Sequence, residues 1–196
     1  MPTRVLMMVG DFVETLEVYA PYMALQCLGF TVEICCPNKN KGETVTTAIH
    51  NFNPMFQTYE EKLGYNIPCT INFPDVNPRD FDAMWIPGGR SPEYLRTNPK
   101  VCEMVKFMMD QNRPVAASCH GPQLLVPTGA ISGRKMTCYP SCEVEVTLAG
   151  ANFTKCPPTE CVVDGNLITG PTFMSTPKMV HAFAEMLGCK IVPPTH

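Results

Sequence analysis

The sequence predicts an α/β three-layer sandwich with a mostly parallel central sheet and a nucleophile elbow. Three observations lead there. Short apolar runs alternate with helix-spaced segments along the 196 residues, the order that builds βαβ units with right-handed crossovers. Two of the runs empty into glycine turns, at Gly10 and at Pro87-Gly88-Gly89. A third, 114–118, enters Cys119-His120-Gly121-Pro122 directly, the pattern of a sharp strand-to-helix turn.

Each element has its own signal. Residues 4–9 form a continuous apolar run ended by Gly10, a buried strand. Residues 17–28 carry Val18, Met23, Leu25 and Leu28 at helical spacing, with Gly29 in the C′ position. Residues 31–36 are a second strand, stopped by Pro37. Residues 38–75 mix Asn, Gly, Pro and aromatic residues; they read as an insertion with one or two short strands, either a pocket wall or an inert excursion. Residues 83–86 are a strand. Asn98-Pro99 is an N-cap followed by proline at N1, opening a helix to about Met109. After the elbow, 121–128 is a helix-compatible run in which Pro127 ends or kinks the helix. Then come a strand at 135–138, a short helix at 143–149 and a hairpin over 162–169 around Asp164-Gly165. A last helix opens at Thr176-Pro177 and closes near Leu187-Gly188. No repeat or linker divides the chain, so one domain over 1–196 is expected.

Composition narrows the function. Apolar residues are 45% and charged residues 17%, the balance of a globular chain. The net charge of −3 without a basic cluster argues against nucleic-acid binding. No apolar run approaches the ~20 residues of a membrane helix, and the start lacks the pattern of a signal peptide, so a cytoplasmic location and no membrane partner are expected. Eleven cysteines without a C-x-x-C pair, beside 4 histidines, fit reduced thiols better than disulfides or zinc. No metal and no cofactor are expected.

The chemistry gathers at the predicted carboxyl ends of three strands, where open α/β sheets build their sites. Cys119 is the candidate nucleophile; at a helix N-terminus its pKa is expected to be lowered toward partial thiolate. His120 is the candidate proton carrier. The 10–17 loop offers a carboxylate to the thiol, and Gly88 and Gly89, flanked by Arg90 and with Gly121 beyond the elbow, offer N–H groups to an oxyanion. Glu14 and Arg90 have structural roles equally open to them. His50 and His181 read as packing or surface residues, and the other ten cysteines as structural, with Cys138 and Cys142 as weak candidates to resolve an oxidised Cys119.

These same residues resemble the DJ-1/PfpI superfamily. The matching segments are Gly10-Asp-Phe-Val-Glu14-Thr-Leu-Glu17-Val-Tyr-Ala-Pro21, Pro87-Gly-Gly-Arg-Ser-Pro-Glu93, Ala-Ser-Cys119-His120-Gly-Pro-Gln, Gly133-Arg-Lys with Thr137-Cys-Tyr-Pro140, and Val163-Asp-Gly-Asn-Leu-Ile-Thr169. They run in order over nearly the full length. The 38–75 segment looks most like each half of the tandem plant members, present here in one copy. The resemblance implies a flavodoxin-like sandwich, a nucleophile at Cys119, a carboxylate at Glu17 hydrogen-bonded to it and acid/base work by His120. It also implies an oxyanion hole from the Gly89 and His120 N–H groups. In PfpI-type proteases a neighbouring subunit's counterpart of Glu93 would orient the histidine.

Three activities follow as expectations. The first is a glutathione-independent glyoxalase or deglycase-like enzyme acting on small dicarbonyls. The second is a PfpI-type cysteine peptidase or amidase acting on peptides. The third is a redox-sensing chaperone without turnover. A homo-oligomer, whether dimer, trimer or hexamer, is expected, with a contact near 90–95.

Overall fold

The computed structural model describes residues 3–192. The chain opens with β1 (Arg4–Met8), β2 (Val13–Glu14) and α1 (Thr15–Cys27), and returns through β3 (Thr31–Cys35). The insertion follows: β4 (Thr44–Val45), β5 (Thr47–Asn51), β6 (Glu60–Leu63) and β7 (Ile67–Pro68). Then come β8 (Ala83–Ile86), α2 (Ser91–Leu95), α3 (Pro99–Asp110) and β9 (Val115–Ser118). The last part holds β10 (Lys135–Met136), α4 (Glu143–Leu148), β11 (Asn152–Phe153), β12 (Val162–Asp164), β13 (Leu167–Gly170) and α5 (Thr176–Met186).

The six-stranded central sheet has the order β12-β13-β9-β8-β1-β3. All its pairings are parallel except the β12–β13 hairpin. From β1 the chain steps to β3 on one side and then crosses to β8 on the other. That reversal leaves a crevice at the carboxyl ends of β1 and β8, the place where such sheets hold ligands.

Alternation along the strands divides the core in two. Leu6, Met8, Met84, Ile86, Val115 and Ala117 face α3, with Val101, Met104, Val105 and Met108 packed on them. Val5, Met7, Trp85, Ala116 and Ile168 face the opposite layer, against Val18 and Leu25 of α1 and Met179 and Phe183 of α5. Mostly apolar side chains on both faces of the inner strands are what a sheet covered on both faces requires. Trp85 and Phe183 meet edge to face at 5.4 Å; truncating either to Ala would cost about 3–5 kcal/mol. The expected N-cap of α3 is present: the Asn98 side chain accepts from the Lys100 and Val101 N–H groups.

Two expectations need correction. The run after the elbow is not an α-helix but two successive 3-10 turns, Gly121–Leu124 and Val126–Thr128. Pro122 and Pro127 each sit in the first positions of a turn, and Gly129 ends the second in the left-handed region (φ 69). Proline withholds an N–H from any i→i−4 ladder, so two prolines five positions apart allow only single turns. The expected strand at 135–138 is only two residues long and pairs with β11 outside the central sheet.

No helix among the described residues is long and apolar enough to cross a membrane.

Candidate active site

Cys119 stands at the end of β9 with φ +55, a left-handed backbone that non-glycine residues enter at a cost of order 1–3 kcal/mol. The surroundings hold it there. Its N–H donates to Gly170 O (2.8 Å) at the end of β13, and its carbonyl accepts from Tyr139 N (2.8 Å). The turn thus aims the thiol across the sheet ends toward the β1 and β8 loops.

Glu17, in the first turn of α1, comes to the same point and is fully buried. Its Oε2 accepts from the Gly88 N–H (2.6 Å) and the Ser118 hydroxyl (2.9 Å), while Oε1 has no conventional partner among the described residues. The Cys119 thiol hydrogen-bonds to this carboxyl. The Glu14 side chain caps α1 by accepting from the Glu17 N–H (2.8 Å) and is itself buried. Two carboxyls so close and so dry cannot both ionise cheaply. Burial, then the Glu14 charge, push Glu17 up to about 8; burial pushes Glu14 up to about 7.

The expected low-pKa thiolate is corrected by the same facts. Burial first, and the Glu17 charge second, raise the Cys119 thiol well above its ordinary value. The N–H groups of Gly89 and His120 donate to the sulfur and favour the thiolate, but they do not outweigh desolvation. With only a 3-10 turn behind it, the sulfur also lacks the dipole of a full helix.

His120 is half-buried, and its Nδ1 lies 3.2 Å from Cys119 Sγ. Burial lowers its pKa to about 4, so the ring is neutral at pH 7. Aromatic rings hold it: Tyr139 stacks on it at 4.8 Å and Tyr59 meets it edge-on at 5.9 Å. No carboxylate of the described residues hydrogen-bonds to it.

The glycines have distinct tasks. A Cβ on Gly88 would lie 2.7 Å from Cys119 Cβ, Glu17 Oε2 and His120 N at once. Gly89, at φ +72, presses against the Phe12 carbonyl and turns its N–H toward the sulfur. Gly121 lets the chain pass the Ile86 carbonyl, which is a packing task. Arg90 is engaged elsewhere: its guanidinium pairs with Glu61 (3.1 Å) and lies over the Phe12 ring. Glu93 is exposed on α2 and lines a separate cleft of about 600 Å³ with Asp11, Lys39 and Tyr94.

The insertion is a wall of the site. β5 pairs with β2 in parallel register, Val13 opposite Thr47, which carries the β5–β6 hairpin over the elbow. His50, expected to be a packing or surface residue, is buried and does have a partner. Its Nε2 lies 3.1 Å from Glu61 Oε2, and its ring stacks on Tyr59 at 3.9 Å. Sequence reasoning did not attach His50, Tyr59, Glu61 or Tyr139 to the site. A signal was available in the crowding of Phe52, Phe56 and Tyr59 within the insertion. Cys138 and Cys142 are both buried free thiols. Among the described residues no cluster of three or more His, Cys, Asp or Glu is placed to hold a metal.

Comparison with known proteins gives a consistent result. The chain is 41% identical over 189 residues to DJ-1 homolog D of Arabidopsis thaliana, covering 96% of this chain and 48% of that protein. It thus spans about half the length of the plant relatives it matches. A deglycase of Pyrococcus abyssi is 36% identical over 85% of this chain and 88% of its own length. Deglycase PfpI of Pyrococcus furiosus is 34% identical over the same shares. The crystal structure of Drosophila melanogaster DJ-1beta superposes with a TM-score of 0.80 at 22% identity, covering 97% of this chain and 92% of that one. The model of the DJ-1/PfpI family matches residues 3–186, and the chain belongs to that family.

Proposed function

We propose that this chain is a cysteine-dependent, glutathione-independent glyoxalase or deglycase-like enzyme that converts a 2-oxoaldehyde to a 2-hydroxy acid. The observation that carries it is Glu17. A fully buried carboxyl, tethered through Oε2 and presenting Oε1 beside the thiol, is placed to move protons on an adduct at Cys119. The deglycase names of the Pyrococcus relatives support the same class of substrate.

The chemistry starts from a neutral thiol and a neutral imidazole, with Glu17 acting in its carboxylate form. Cys119 sulfur adds to the aldehyde carbon; the thiol proton leaves toward His120 Nδ1, 3.2 Å away, and reaches the carbonyl oxygen. That oxygen, bonded next to the sulfur, meets the Gly89 and His120 N–H groups. Glu17 takes the proton from C1 of the hemithioacetal and returns one to C2 through an enediol. The product is a 2-hydroxyacyl thioester on Cys119. Water cleaves it, releasing the hydroxy acid and restoring the thiol.

A peptidase reading rests on the Cys119–His120 contact. It ranks second because peptide cleavage asks His120 to protonate a leaving amine, and an imidazole lowered to about 4, with no carboxylate hydrogen-bonded to it among the described residues, is seldom charged near pH 7. A sensor without turnover ranks third, because a thiol held protonated is a slow target for peroxide. We propose also that the chain self-associates through the 90–95 segment.

The test is lactate formation from methylglyoxal in the presence of a chelator. Turnover abolished in Cys119→Ala is the expected result; no turnover above buffer, or full turnover in that variant, would sink the proposal.

A further inference from the structure

Ser118, the last residue of β9, has no part in the steps above, yet it ends on the group that carries them. Alternation along the strand turns Val115 and Ala117 toward α3 and Ala116 toward the layer of α1, so Ser118 also faces α1. It is fully buried and brings the only hydroxyl to an otherwise apolar strand. A buried hydroxyl needs a partner, and this one donates to Glu17 Oε2 at 2.9 Å. The Gly88 N–H, from the turn after β8, donates to the same oxygen at 2.6 Å. Glu17 Oε1, also buried, has no conventional partner among the described residues. The two oxygens of one carboxyl thus stand in opposite surroundings, with two donors on one and none on the other.

That asymmetry decides where a proton sits. A neutral carboxyl has a carbonyl oxygen, which accepts, and a hydroxyl oxygen, which donates. The Gly88 N–H can only donate, so it holds Oε2 as an acceptor. With the Ser118 hydroxyl added, Oε2 is the carbonyl oxygen and the proton belongs on Oε1. When the carboxyl ionises, the same two donors steady the charge on Oε2 and leave Oε1 as the base. Without Ser118 a single donor would remain, and the proton would be free to take the place on Oε2 that the hydroxyl now fills. The titratable groups that bear on Glu17 are Glu14, from the cap of its own helix, and Cys119, from the elbow. No cation pairs with it among the described residues, so these hydrogen bonds are what sets its two oxygens apart.

We infer that Ser118 is a positioning residue: together with the Gly88 N–H it occupies Oε2 of Glu17 and keeps the proton of that carboxyl on Oε1, so that one oxygen both takes and returns the proton of the substrate. This rests on the proposed dicarbonyl reaction for its kinetic consequence, whereas the placing of the proton is a property of the resting protein. Ser118 acts only through Glu17, to which it makes its one side-chain hydrogen bond.

Infrared difference spectra of the substrate-free protein read the carboxyl itself, with the Glu17 band identified by its loss in Glu17→Gln. At pH 6, where Glu17 is protonated, its carbonyl stretch is expected at higher wavenumber in Ser118→Ala, since Oε2 has lost a hydrogen bond. The midpoint at which the band titrates is expected to rise by about one pH unit, because a donor to the ionised form is gone. Ser118→Thr keeps the hydroxyl and is expected to restore both. A band and a midpoint that Ser118→Ala leaves unmoved overturn the inference, as does a folded Ser118→Thr that behaves like Ser118→Ala. With methylglyoxal, kcat/KM of Ser118→Ala is expected to be about tenfold lower at pH 7, the loss narrowing at pH values above the shifted limb. A loss of the same size at every pH would mark a packing fault and overturn the role. If the native chain turns nothing over while the band moves as expected, the placing of the proton stands and the dicarbonyl reaction falls. If turnover is present and the band does not move, the reaction stands and the role of Ser118 falls.

Discussion

At the residue scale the site is governed by desolvation rather than by paired charge. Glu17, Glu14, Cys119 and His120 all have their neutral forms favoured by burial. This has a direct consequence for pH. The base form of Glu17 is scarce at pH 7 and fills as pH rises through about 8. The acid limb of kcat/KM is therefore expected near pH 8, climbing toward alkaline pH. Glu14→Gln removes the neighbouring negative charge and should move that limb to lower pH, and Glu17→Gln should abolish turnover. The same group sets stability with a known sign. A carboxyl raised from its ordinary 4.5 to about 8 leaves the fold fully stable below about pH 4.5 and weakens it as pH climbs through about 8, by about 1.4 kcal/mol per pH unit at most. Glu17→Gln should accordingly raise the thermal midpoint at pH 8 and change it little at pH 4.5. A pH–rate profile and melting curves at both pH values check this. A limb that Glu14→Gln leaves in place would show that another group carries the proton.

At the scale of elements the turns matter more than the helices. Gly88 is the tightest point: three atoms of the site occupy the space of its missing Cβ. Gly88→Ala must push Cys119, Glu17 or the His120 backbone aside, at a cost of about 1–3 kcal/mol for overpacking. The expected result is a loss of at least a hundredfold in kcat/KM with a modestly lowered melting point. Asn98→Ala, which removes only the α3 cap at about 1 kcal/mol, should lower the melting point similarly and spare the activity. Equal kinetic losses in both variants would mean that Gly88 acts through stability alone. These turns were also the legible part of the sequence. Apolar runs marked β1, β8 and β9, and Asn98-Pro99 marked α3, because burial on both faces and capping write themselves into local sequence. Cys119 was legible as a candidate because it follows a strand end, and Glu17 because the first loop matches the family's pattern. The thiol's protonation was not, because it depends on two carboxyls and a wall brought in from other segments. His50 and Tyr59 reach the site only through the Val13–Thr47 pairing, a long-range register that no local pattern carries. Two prolines in the run after the elbow gave fair notice of a broken helix.

At the scale of the whole molecule, the proposed proton carrier lacks a carboxylate partner among the described residues. His120 is held by Tyr139 and Tyr59 on its faces and edges, and among the described residues no carboxylate hydrogen-bonds to its ring. Meanwhile α2 presents Glu93 and the 69% exposed Tyr94 to water, beside a cleft bordered by Asp11, Lys39 and Arg90. An exposed aromatic next to paired charges is a common edge of a contact between subunits. We propose that α2 packs on another copy of the chain and delivers Glu93 to that copy's His120. Such a contact would raise the imidazole's pKa from its low value and shield the thiol from water. Glu93→Ala should then reduce kcat/KM by at least tenfold while shifting stability by no more than about 0.5 kcal/mol, the usual cost of a surface substitution. Light scattering should give a multiple of the single-chain mass, and dilution below the dissociation constant should lower specific activity in step with dissociation. A monomer with undiminished activity at working concentration, or a Glu93→Ala variant as active as the native chain, would remove the shared site and leave the aromatic clamp as the only support His120 has.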